Sequence, residues 1–474
     1  MNTAGLILGE TYDVAIFGGG LCGYAAAWTC ARAGFSTLLV ERRPALGWEA
    51  TWACQLDYTG GGGQVAQAIA DAMTEAGGLR NNRLDAPILE MVLDREAANV
   101  GMTLLYYAQP IDLEIAENEA RTVFIGSKSG QQVVRAKAYV DATERGLLWR
   151  RSGISIGNEG CAGRSALFLH GTKTLDNIID LGSVGQTTNI TLQSTPWPDE
   201  SVIYYDMPTI EPADAIRAMP CVLQLAHSSG LLTEDTIVTH TSVEPYPLTQ
   251  HHNKVAVQHP HIPNLFNAGL WAGDASEEDS IFAIHMAHGE AAGQAICSAL
   301  TEIPMPQPAT VPMQTVEAPT VQTSQVLVCG GGTAGAVAAI ASARQGAQTT
   351  VLEAGSFLGG IGAGGGIHTY YHGISGGLQD EVDQRVHALT ALFGGTRHVR
   401  GFHPIVKRIV LQQMADEAGV TTIYHKTGVG HGSVQKGLTQ EWSRVWGKPF
   451  FCGTRREVNV FKEIVKEVTR VRTK

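Results

Sequence analysis

The sequence predicts an α/β protein in which a parallel sheet carries helices on its faces, with a partial copy of this unit later in the chain. One observation is the succession of an apolar strand, a glycine turn and a small-residue helix in "VAIFGGGLCGYAAAWTCARAG", residues 14–34. A second is the return of this succession in "VLVCGGGTAGAVAAIASARQG", residues 326–346. A third is the composition, 44% hydrophobic and 17% charged over 474 residues, which is typical of folded globular proteins.

The remaining elements of the first unit follow this opening in order. A second strand is predicted at residues 37–41. A helix is predicted in "PILEMVLDREAANVG", because a proline stands near its start and a glycine after its end. The strand "MTLLYY" comes next, and "ARTVFIGSKSGQQVVRAKAYVDAT" predicts an antiparallel meander that returns to the sheet at residues 139–141. "NLFNAG" then predicts a strand, and residues 280–300 predict a closing helix.

Changes in composition indicate the domain borders. Residues 151–260 are richer in Thr, Ser and Pro, and we predict that they form a β-rich cap or substrate region inserted in a first domain of residues 1–302. A proline-rich linker is predicted at 303–323 and a partial second domain at 324–430. The basic tail, residues 431–474, is a partner site, a solvated helix or the end of a shortened reading frame.

The two copies align with a shift of 312 residues. The glycines of the first turn fall on those of the second, and Glu41 falls on Glu353. The likeness continues in "HPIVKRIVLQQMADEAGVTTIYH", which parallels "APILEMVLDREAANVGMTLLYY" with a one-residue slip. The first copy's "YVDAT", "NLFNAG" and "HGEAAGQA" segments have no counterpart, so the repeat indicates a duplication, and whether its second half binds a ligand stays open.

The glycine turn has the chemistry of a dinucleotide site. Gly18 permits a tight turn, Gly20 lets the backbone approach a pyrophosphate, and Gly23 allows the helix to pack on the strand. The N-terminus of the helix attracts phosphate. Glu41, at the end of the next strand, is placed to accept hydrogen bonds from an adenosine ribose and would repel a 2′-phosphate. This unit alone does not distinguish FAD from NAD.

The choice between FAD and NAD comes from a resemblance that longer segments of the sequence carry. "DVAIFGGGLCGYAAAWTCARAGFSTLLVERRPALG", "GMTLLYY", "AYVDATERGLLWRRSG", "NLFNAGLWAG" and "HGEAAGQAI" cover most of residues 12–300 apart from the insert. They resemble the FAD-dependent oxidoreductase family related to heterodisulfide reductase, within the two-dinucleotide-binding flavoprotein class. The resemblance implies a Rossmann-like FAD/NAD(P)-binding fold, one bound FAD and, in the second copy, the potential for another.

Motif and resemblance together assign the site residues. The expected FAD-binding residues are Gly18, Gly20, Gly23, Glu41, Arg42, Gly47, Trp48, Asp141, Ala142, Thr143, Gly269 and Asp274. The corresponding candidates of the second copy are Gly330, Gly332, Gly335 and Glu353. An ordinary core position is the alternative for Trp48, and the departure of "DATERG" from the family's Asp-Ala-Thr-Gly weakens the assignment of that strand end.

Catalytic candidates are fewer. His285 and His288, three residues apart on the closing helix, are candidate acids or bases, and a structural role is the alternative for both. We expect no metal, because "HHNKVAVQHPH" has no acidic or cysteine partner at ligand spacing. Relatives carry 4Fe-4S clusters, but no two of the eight cysteines here are closer than eight residues, and this spacing does not support a cluster.

The sequence therefore predicts a cytoplasmic flavoprotein that oxidises or reduces a small organic substrate by two electrons. The alternatives are an electron-transfer flavoprotein within a heterodisulfide-reductase-like complex and a non-catalytic nucleotide-binding scaffold. A partner chain or a homo-oligomer could use the second copy. The net charge of −11 gives no support to a nucleic-acid partner. The weakly apolar residues 326–343 raise a membrane helix as an alternative, which their glycine triplet disfavours.

Overall fold

The structure is a computed structural model of the chain. It describes residues 6–127, 129–154, 162–248, 256–269, 280–306, 322–369, 376–394 and 401–426, with the backbone alone for residues 6–10. The predicted tail and most of the predicted linker lie outside these residues. The contacts divide the chain into two units. The first comprises residues 1–160 and 249–319, and the second comprises residues 161–248 and 320–474.

The first unit contains nine strands and six helices within its described residues. The strands are β1 (Leu6–Phe17), β2 (Thr37–Val40), β3 (Leu79–Arg80), β4 (Arg83–Leu84), β5 (Thr103–Leu105), β6 (Ala108–Ala116), β7 (Glu119–Ser127), β8 (Gly130–Asp141) and, after the excursion to the second unit, β15 (Leu265–Asn267). The helices are α1 (Leu21–Arg32), α2 (Trp48–Thr51), α3 (Gly63–Glu75), α4 (Ala86–Asn99), α5 (Leu147–Arg151) and α7 (Ile281–Leu300).

One seven-stranded sheet organises this unit, in the order β5-β2-β1-β8-β7-β6 with β15 beside β8. The strands β5, β2, β1, β8 and β15 are parallel, whereas β6, β7 and β8 form an antiparallel meander. In the register, Phe17 pairs with both Val40 and Asp141, and Asp141 pairs with Asn267. The carboxyl ends of four strands therefore lie at one edge, where ligands bind in parallel α/β sheets.

Helices α1 and α7 cross closely because two glycines of α7 leave room for the backbone of α1. A Cβ on Gly289 would lie 2.1 Å from the carbonyl oxygen of Cys22, and one on Gly293 would lie 2.7 Å from Cβ of Thr29. Only hydrogen fits at Gly289 without a backbone shift. This crossing fixes the start of α7 beside the glycine turn that opens α1.

The second unit contains the insert and the second repeat. Its strands are β9 (Gly163–His170), β10 (Ile179–Val184), β11 (Thr187–Ser194), β12 (Glu200–Met207), β13 (Ile237–Thr241), β14 (Tyr246–Pro247), β16 (Val326–Cys329), β17 (Thr349–Leu352) and β18 (Thr421–Ile423). Its helices are α6 (Pro212–Ser228), α8 (Thr333–Arg344), α9 (Ile361–Gly364), α10 (Leu378–Phe393) and α11 (Pro404–Ala418).

The insert forms an antiparallel sheet, β10-β11-β12-β9-β13, with β14 also on β9, and the repeat forms a parallel sheet, β16-β17-β18. The two share one hydrophobic core. Leu167 and Ile203 of the insert sheet belong to the same buried cluster as Ile340 of α8 and Val406 of α11. The contacts thus group the insert with the second repeat.

The predicted fold class is confirmed: a parallel Rossmann-like sheet with a β-meander, a β-rich insert and a partial second unit of the same type. The domain borders, with the insert as a substrate region, stay a prediction. Residues 326–343 form β16 and most of α8 in place of one continuous helix. Among the described residues, no helix is both long and apolar enough to cross a bilayer.

Candidate functional site

The glycines of the turn between β1 and α1 stand where a side chain would clash with the neighbouring backbone. Gly18 has a φ of +107°, and a Cβ there would lie 2.2 Å from the carbonyl oxygen of Ala142. A Cβ on Gly23 would lie 1.9 Å from the carbonyl oxygen of Gly18. Gly20 is the N-cap of α1 and makes no side-chain cap. The N–H groups at the start of α1 therefore point to the edge where the strands end.

Glu41 follows β2 and is held against this turn. Its Oε2 accepts a hydrogen bond from the N–H of Gly19 at 2.6 Å, and its Oε1 accepts from the N–H and the guanidinium of Arg43 at 2.9 and 3.0 Å. Only 2% of Glu41 is exposed. Burial raises the pKa of its carboxyl, and the charge of Arg43 offsets part of this rise. The carboxylate is thus rigidly placed where an adenosine ribose would lie.

Next to Glu41, a cationic side chain packs on an aromatic ring. Arg43 also pairs with Glu144, and its guanidinium lies 4.5 Å from the ring centre of Trp48. Arg42, a predicted cofactor residue, reaches Glu144 at 3.8 Å. Trp48 is 5% exposed. Its indole packs under Arg43 and also borders the cavity described below. This position is compatible with both proposed roles, a core residue and a residue that lines the site.

The end of β8 is held by one carboxylate. Asp141 is 1% exposed, and its Oδ1 accepts from the N–H and hydroxyl of Thr143 at 3.0 and 2.7 Å. Its Oδ2 accepts from the N–H groups of Leu148 and Trp149 at 2.7 and 3.0 Å, which caps α5. Burial raises the pKa of Asp141, and these hydrogen bonds offset part of the rise. Asp141 therefore shapes the turn that presents Ala142 and Thr143.

The segments that follow β1, β8 and β15 meet at one cavity. It has an open volume of about 290 Å³ and lies at the carboxyl edge of the sheet. Its lining residues are Gly20, Cys22, Gly23, Trp48, Glu49, Ala142, Thr143, Glu144 and Gly269. Six of these were predicted, and they come from α1, α2 and the ends of β8 and β15.

One lining residue lies directly on the start of α1. Oε2 of Glu49 accepts a hydrogen bond from the N–H of Leu21 at 3.0 Å, and its Oε1 lies 3.2 Å from Nδ1 of His285. Glu49 and His285 are each 3% exposed. His288, the second catalytic candidate, is half-buried one turn later on α7. The structure thus joins a predicted histidine to the edge of the glycine turn through a carboxylate.

The remaining predicted residues have distinct positions. Gly47 is the N-cap of α2 with a φ of +60°, and its N–H donates to the carbonyl of Gly19 at 2.8 Å. Asp274 lies outside the described residues. The sequence analysis missed Glu49, Arg43 and Glu144. The pattern "WEA" after Gly47 placed an acid next to a predicted cofactor residue, but its contact with His285 spans 236 positions, beyond the reach of local patterns.

The second repeat reproduces the turn. Gly330 has a φ of +96°, and a Cβ on Gly335 would lie 1.8 Å from the carbonyl oxygen of Gly330. Glu353 accepts from the N–H of Gly331 at 2.7 Å, just as Glu41 accepts from Gly19. Gly332 caps α8, and a Cβ there would meet no atom within 4 Å. Locally, the second copy has the same backbone cradle.

A metal site was not expected, and His259 has a structural role. Among the described residues, no cluster of three or more His, Cys, Asp or Glu could hold a metal ion. Nδ1 of His259 accepts from the N–H groups of His261 and Ile262 at 3.1 and 3.0 Å, and its Nε2 lies 2.9 Å from the hydroxyl of Ser152. These contacts hold the loop that leads into β15.

The parallel sheet, the two glycine turns and the acids that follow their second strands define a dinucleotide-binding protein of the Rossmann-like class. The chain belongs to the FAD dependent oxidoreductase family, whose sequence model matches residues 13–189 and 325–445, more than half of the chain. The two matched segments start at the strands that lead into the two glycine turns. No curated protein matches the sequence.

Several solved structures are similar to this chain at low identity. A geranylgeranyl bacteriochlorophyll reductase-like protein from Thermoplasma acidophilum is 15% identical, over 62% of this chain and 79% of that chain, with a TM-score of 0.47. Glycine oxidase from Geobacillus kaustophilus is 14% identical, over 62% and 96%, with a TM-score of 0.42. L-proline dehydrogenase from P. horikoshii is 15% identical, over 63% and 96%, with a TM-score of 0.44.

The residues of the first copy fit FAD, with one conflict. The glycine backbone, the N-terminus of α1 and Glu41 form the cradle that the ADP half requires. The conflict is Glu49, which lies on the N–H of Leu21. A Cβ added to Gly20 would come within 2.6 Å of its Oε1, so the carboxylate covers the face of the turn that a diphosphate approaches. The chain is an FAD-dependent oxidoreductase, and its Glu49 carboxylate lies where the cofactor diphosphate would approach the turn.

Proposed function

We propose that the first repeat holds the working FAD and that the protein uses it to oxidise or reduce a small organic substrate by two electrons. The observation that carries this proposal is the meeting of three predicted segments at one cavity. Gly20 and Gly23 of the turn, Ala142 and Thr143 after β8 and Gly269 after β15 all line it. Segments this far apart in the sequence are brought together by the sheet, and the second repeat has no described counterpart of β8 or β15.

Each part of the site has a role in this proposal. The N–H groups at the start of α1 bind the diphosphate and Glu41 binds the adenosine ribose. Trp48 and Arg43 cover the cavity wall and exclude water. FAD, when bound, supplies the acceptor or donor of two electrons. The sequence-based assignments of Arg42, Gly47, Asp141 and Asp274 belong to the same proposal.

His285 is the proposed proton carrier. Its Nδ1 donates to Oε1 of Glu49, so in the neutral ring the acceptor nitrogen is Nε2. A buried histidine held by a carboxylate keeps one tautomer, as a general base requires. His288, one turn further along α7, is the second candidate. This assignment rests on position within the unit and on the hydrogen bond to Glu49.

Finer features of the proposal rest on the sequence. Kinship with heterodisulfide reductase is supported by the segments that resemble that family. A partner chain, or a second copy of this chain, would deliver electrons or dock at the second repeat. A cytoplasmic location is supported by the thiols, because the six described cysteines form no disulfide with one another. A second FAD at Gly330, Gly332, Gly335 and Glu353 is the alternative to the single FAD proposed here.

Flavin stoichiometry in matched variants tests the proposal. The purified protein is saturated with FAD, freed of excess and denatured, and the released flavin is measured by absorbance. We expect one FAD per chain. Glu41→Gln removes the charge that binds the ribose and lowers FAD affinity by about tenfold, the value of one charge-assisted hydrogen bond. Glu353→Gln is the matched control in the second repeat and leaves that affinity unchanged.

Two outcomes oppose the proposal. No flavin at saturation contradicts it entirely, and a loss caused by Glu353→Gln but not by Glu41→Gln assigns the FAD to the second repeat. Two FAD per chain adds the second repeat as a working site. Bleaching of the flavin by an added small-molecule donor supports an enzyme, whereas reduction only by a partner protein supports the electron-transfer alternative.

A further inference from the structure

The N-terminus of α1 is already bound by an anion of this chain. Oε2 of Glu49 lies 3.0 Å from the N of Leu21, which is the geometry of a charge-assisted hydrogen bond. In Rossmann-like proteins the pyrophosphate of the dinucleotide occupies this position. A carboxylate and a phosphate use the same kind of N–H donor and the same helix dipole, so a phosphate that approaches the N–H of Leu21 competes with Glu49.

The position of Glu49 is fixed from several sides. His285 lies 3.2 Å from its other oxygen, Trp48 precedes it in α2, and it is 3% exposed. Gly20 lies directly under it, since a Cβ on Gly20 would be 2.6 Å from Oε1 of Glu49 and 3.1 Å from Nε1 of Trp48. This is a packed, hydrogen-bonded arrangement and not a side chain resting on a surface.

The second repeat serves as an internal comparison. At the shift of 312 residues, Trp48 corresponds to Gly360 and Glu49 to Ile361. Ile361 is 66% exposed, and a Cβ on Gly332, the counterpart of Gly20, would meet nothing within 4 Å. At the start of the helix these two similar turns thus differ: the first carries an acid there and the second does not. The acid is therefore not needed to form the turn.

We propose that Glu49 is an internal competitor of the cofactor diphosphate: it holds the start of α1 in the free protein and must turn away from Leu21 before FAD binds. The inference rests on the proposed use of the first repeat. This competition lowers the affinity for FAD below that of the same turn without an acid on it.

Ligand affinity tests the competition directly. FAD binding is measured by calorimetry for the wild type, Glu49→Gln and Glu49→Ala. We expect both variants to bind FAD at least about tenfold more tightly, because a negative charge at a helix N-terminus opposes a diphosphate there by an amount of this order. ADP, which carries the diphosphate without the flavin, gains in the same way. Riboflavin, which has no phosphate, binds all three proteins equally.

Glu290→Gln is the matched control. Glu290 is 8% exposed in the same unit, and its Oε2 accepts from the N–H of Val65 in the first turn of α3 at 3.0 Å. It is a buried acid on a helix start away from the glycine turn, so its neutralisation leaves FAD affinity unchanged. Thermal unfolding of each variant verifies folding, and Glu49→Ala keeps the test decisive if Glu49→Gln unfolds.

The outcomes separate this inference from the proposed function. Equal FAD affinity in the wild type and both Glu49 variants overturns the competition and leaves the flavin function standing. An equal gain for riboflavin also overturns it, because the effect would then not involve the diphosphate. Absence of FAD binding in every protein contradicts the proposed function itself.

Discussion

Replacement of Asp141 by Asn tests how the edge of the sheet is held. The carboxylate accepts four hydrogen bonds, two from Thr143 and one each from Leu148 and Trp149. An Asn side chain has one carbonyl oxygen and one NH₂ group, so it can accept either from Thr143 or from Leu148 and Trp149, but not from both sides. Its NH₂ then faces two donors. Leu148 and Trp149 are each 1% exposed, and water cannot replace the lost acceptor.

The cost follows from this count. With its oxygen toward Leu148 and Trp149, Asn leaves the buried N–H of Thr143 without an acceptor, so Asp141→Asn destabilises the first unit by about 1–3 kcal/mol. The control is Asp85→Asn. Asp85 caps α4 with a single bond, from its Oδ1 to the N–H of Ile88, which Asn can also make. We expect the control to change stability by no more than about 0.5 kcal/mol.

Urea unfolding with hydrogen exchange of residues 141–151 measures both effects. The exchange readout localises the loss, because the chain has two units and one unfolding curve does not separate them. The reasoning is refuted if Asp141→Asn costs no more than Asp85→Asn. If instead the variant keeps its stability and loses FAD affinity, Asp141 is a ligand contact and not the residue that holds the turn.

Two further predictions concern titratable groups. Burial lowers the pKa of His259, so its neutral form is favoured in the fold. Stability is therefore full above the ordinary histidine pKa and is lost as pH falls below it, by up to about 1.4 kcal/mol per pH unit. His259→Gln removes the contribution of His259 to the slope in urea unfolding between pH 7 and 5, and an unchanged slope would contradict the assignment. The sulfur atoms of Cys30 and Cys297 lie 3.7 Å apart, and this hydrogen bond lowers the pKa of Cys297. Iodoacetamide should therefore alkylate Cys297 before buried Cys54, whose pKa burial raises to about 12. Peptide mass spectrometry measures the rate, which Cys30→Ala should slow. An equal rate in that variant would show that Cys30 has no influence.

The sequence predicted the elements whose chemistry is local. The glycine turn, the helix α4 between its proline and its glycine, and the antiparallel pair β7-β8 could be identified because backbone conformation and strand alternation leave short-range patterns. Glu41 was predicted for the same reason, since it ends the strand next to the turn. The candidate site was predicted as far as its glycines and strand ends.

What the sequence did not reveal depends on packing between distant segments. Glu49 of α2 and His285 of α7 are 236 positions apart, and the packing of these two helices brings them together. The insert presents a second case. The apolar residues of β9 and β12 indicate a buried face, but no local pattern states which core receives it. The structure packs that face with α8 and α11 of the second repeat.

The hydrophobic core that the insert shares with the second repeat determines where the chain can be cut into folded fragments. A cut at the proline-rich segment, the natural place from the sequence, would not release a self-sufficient N-terminal domain. The chain passes from one unit to the other three times, near residues 160, 248 and 319. Removing everything after the last crossing would strip Leu167, Ile203 and their neighbours of the helices that cover them. The second repeat thus stabilises the fold by covering the apolar face of the insert sheet, whether or not it binds a nucleotide.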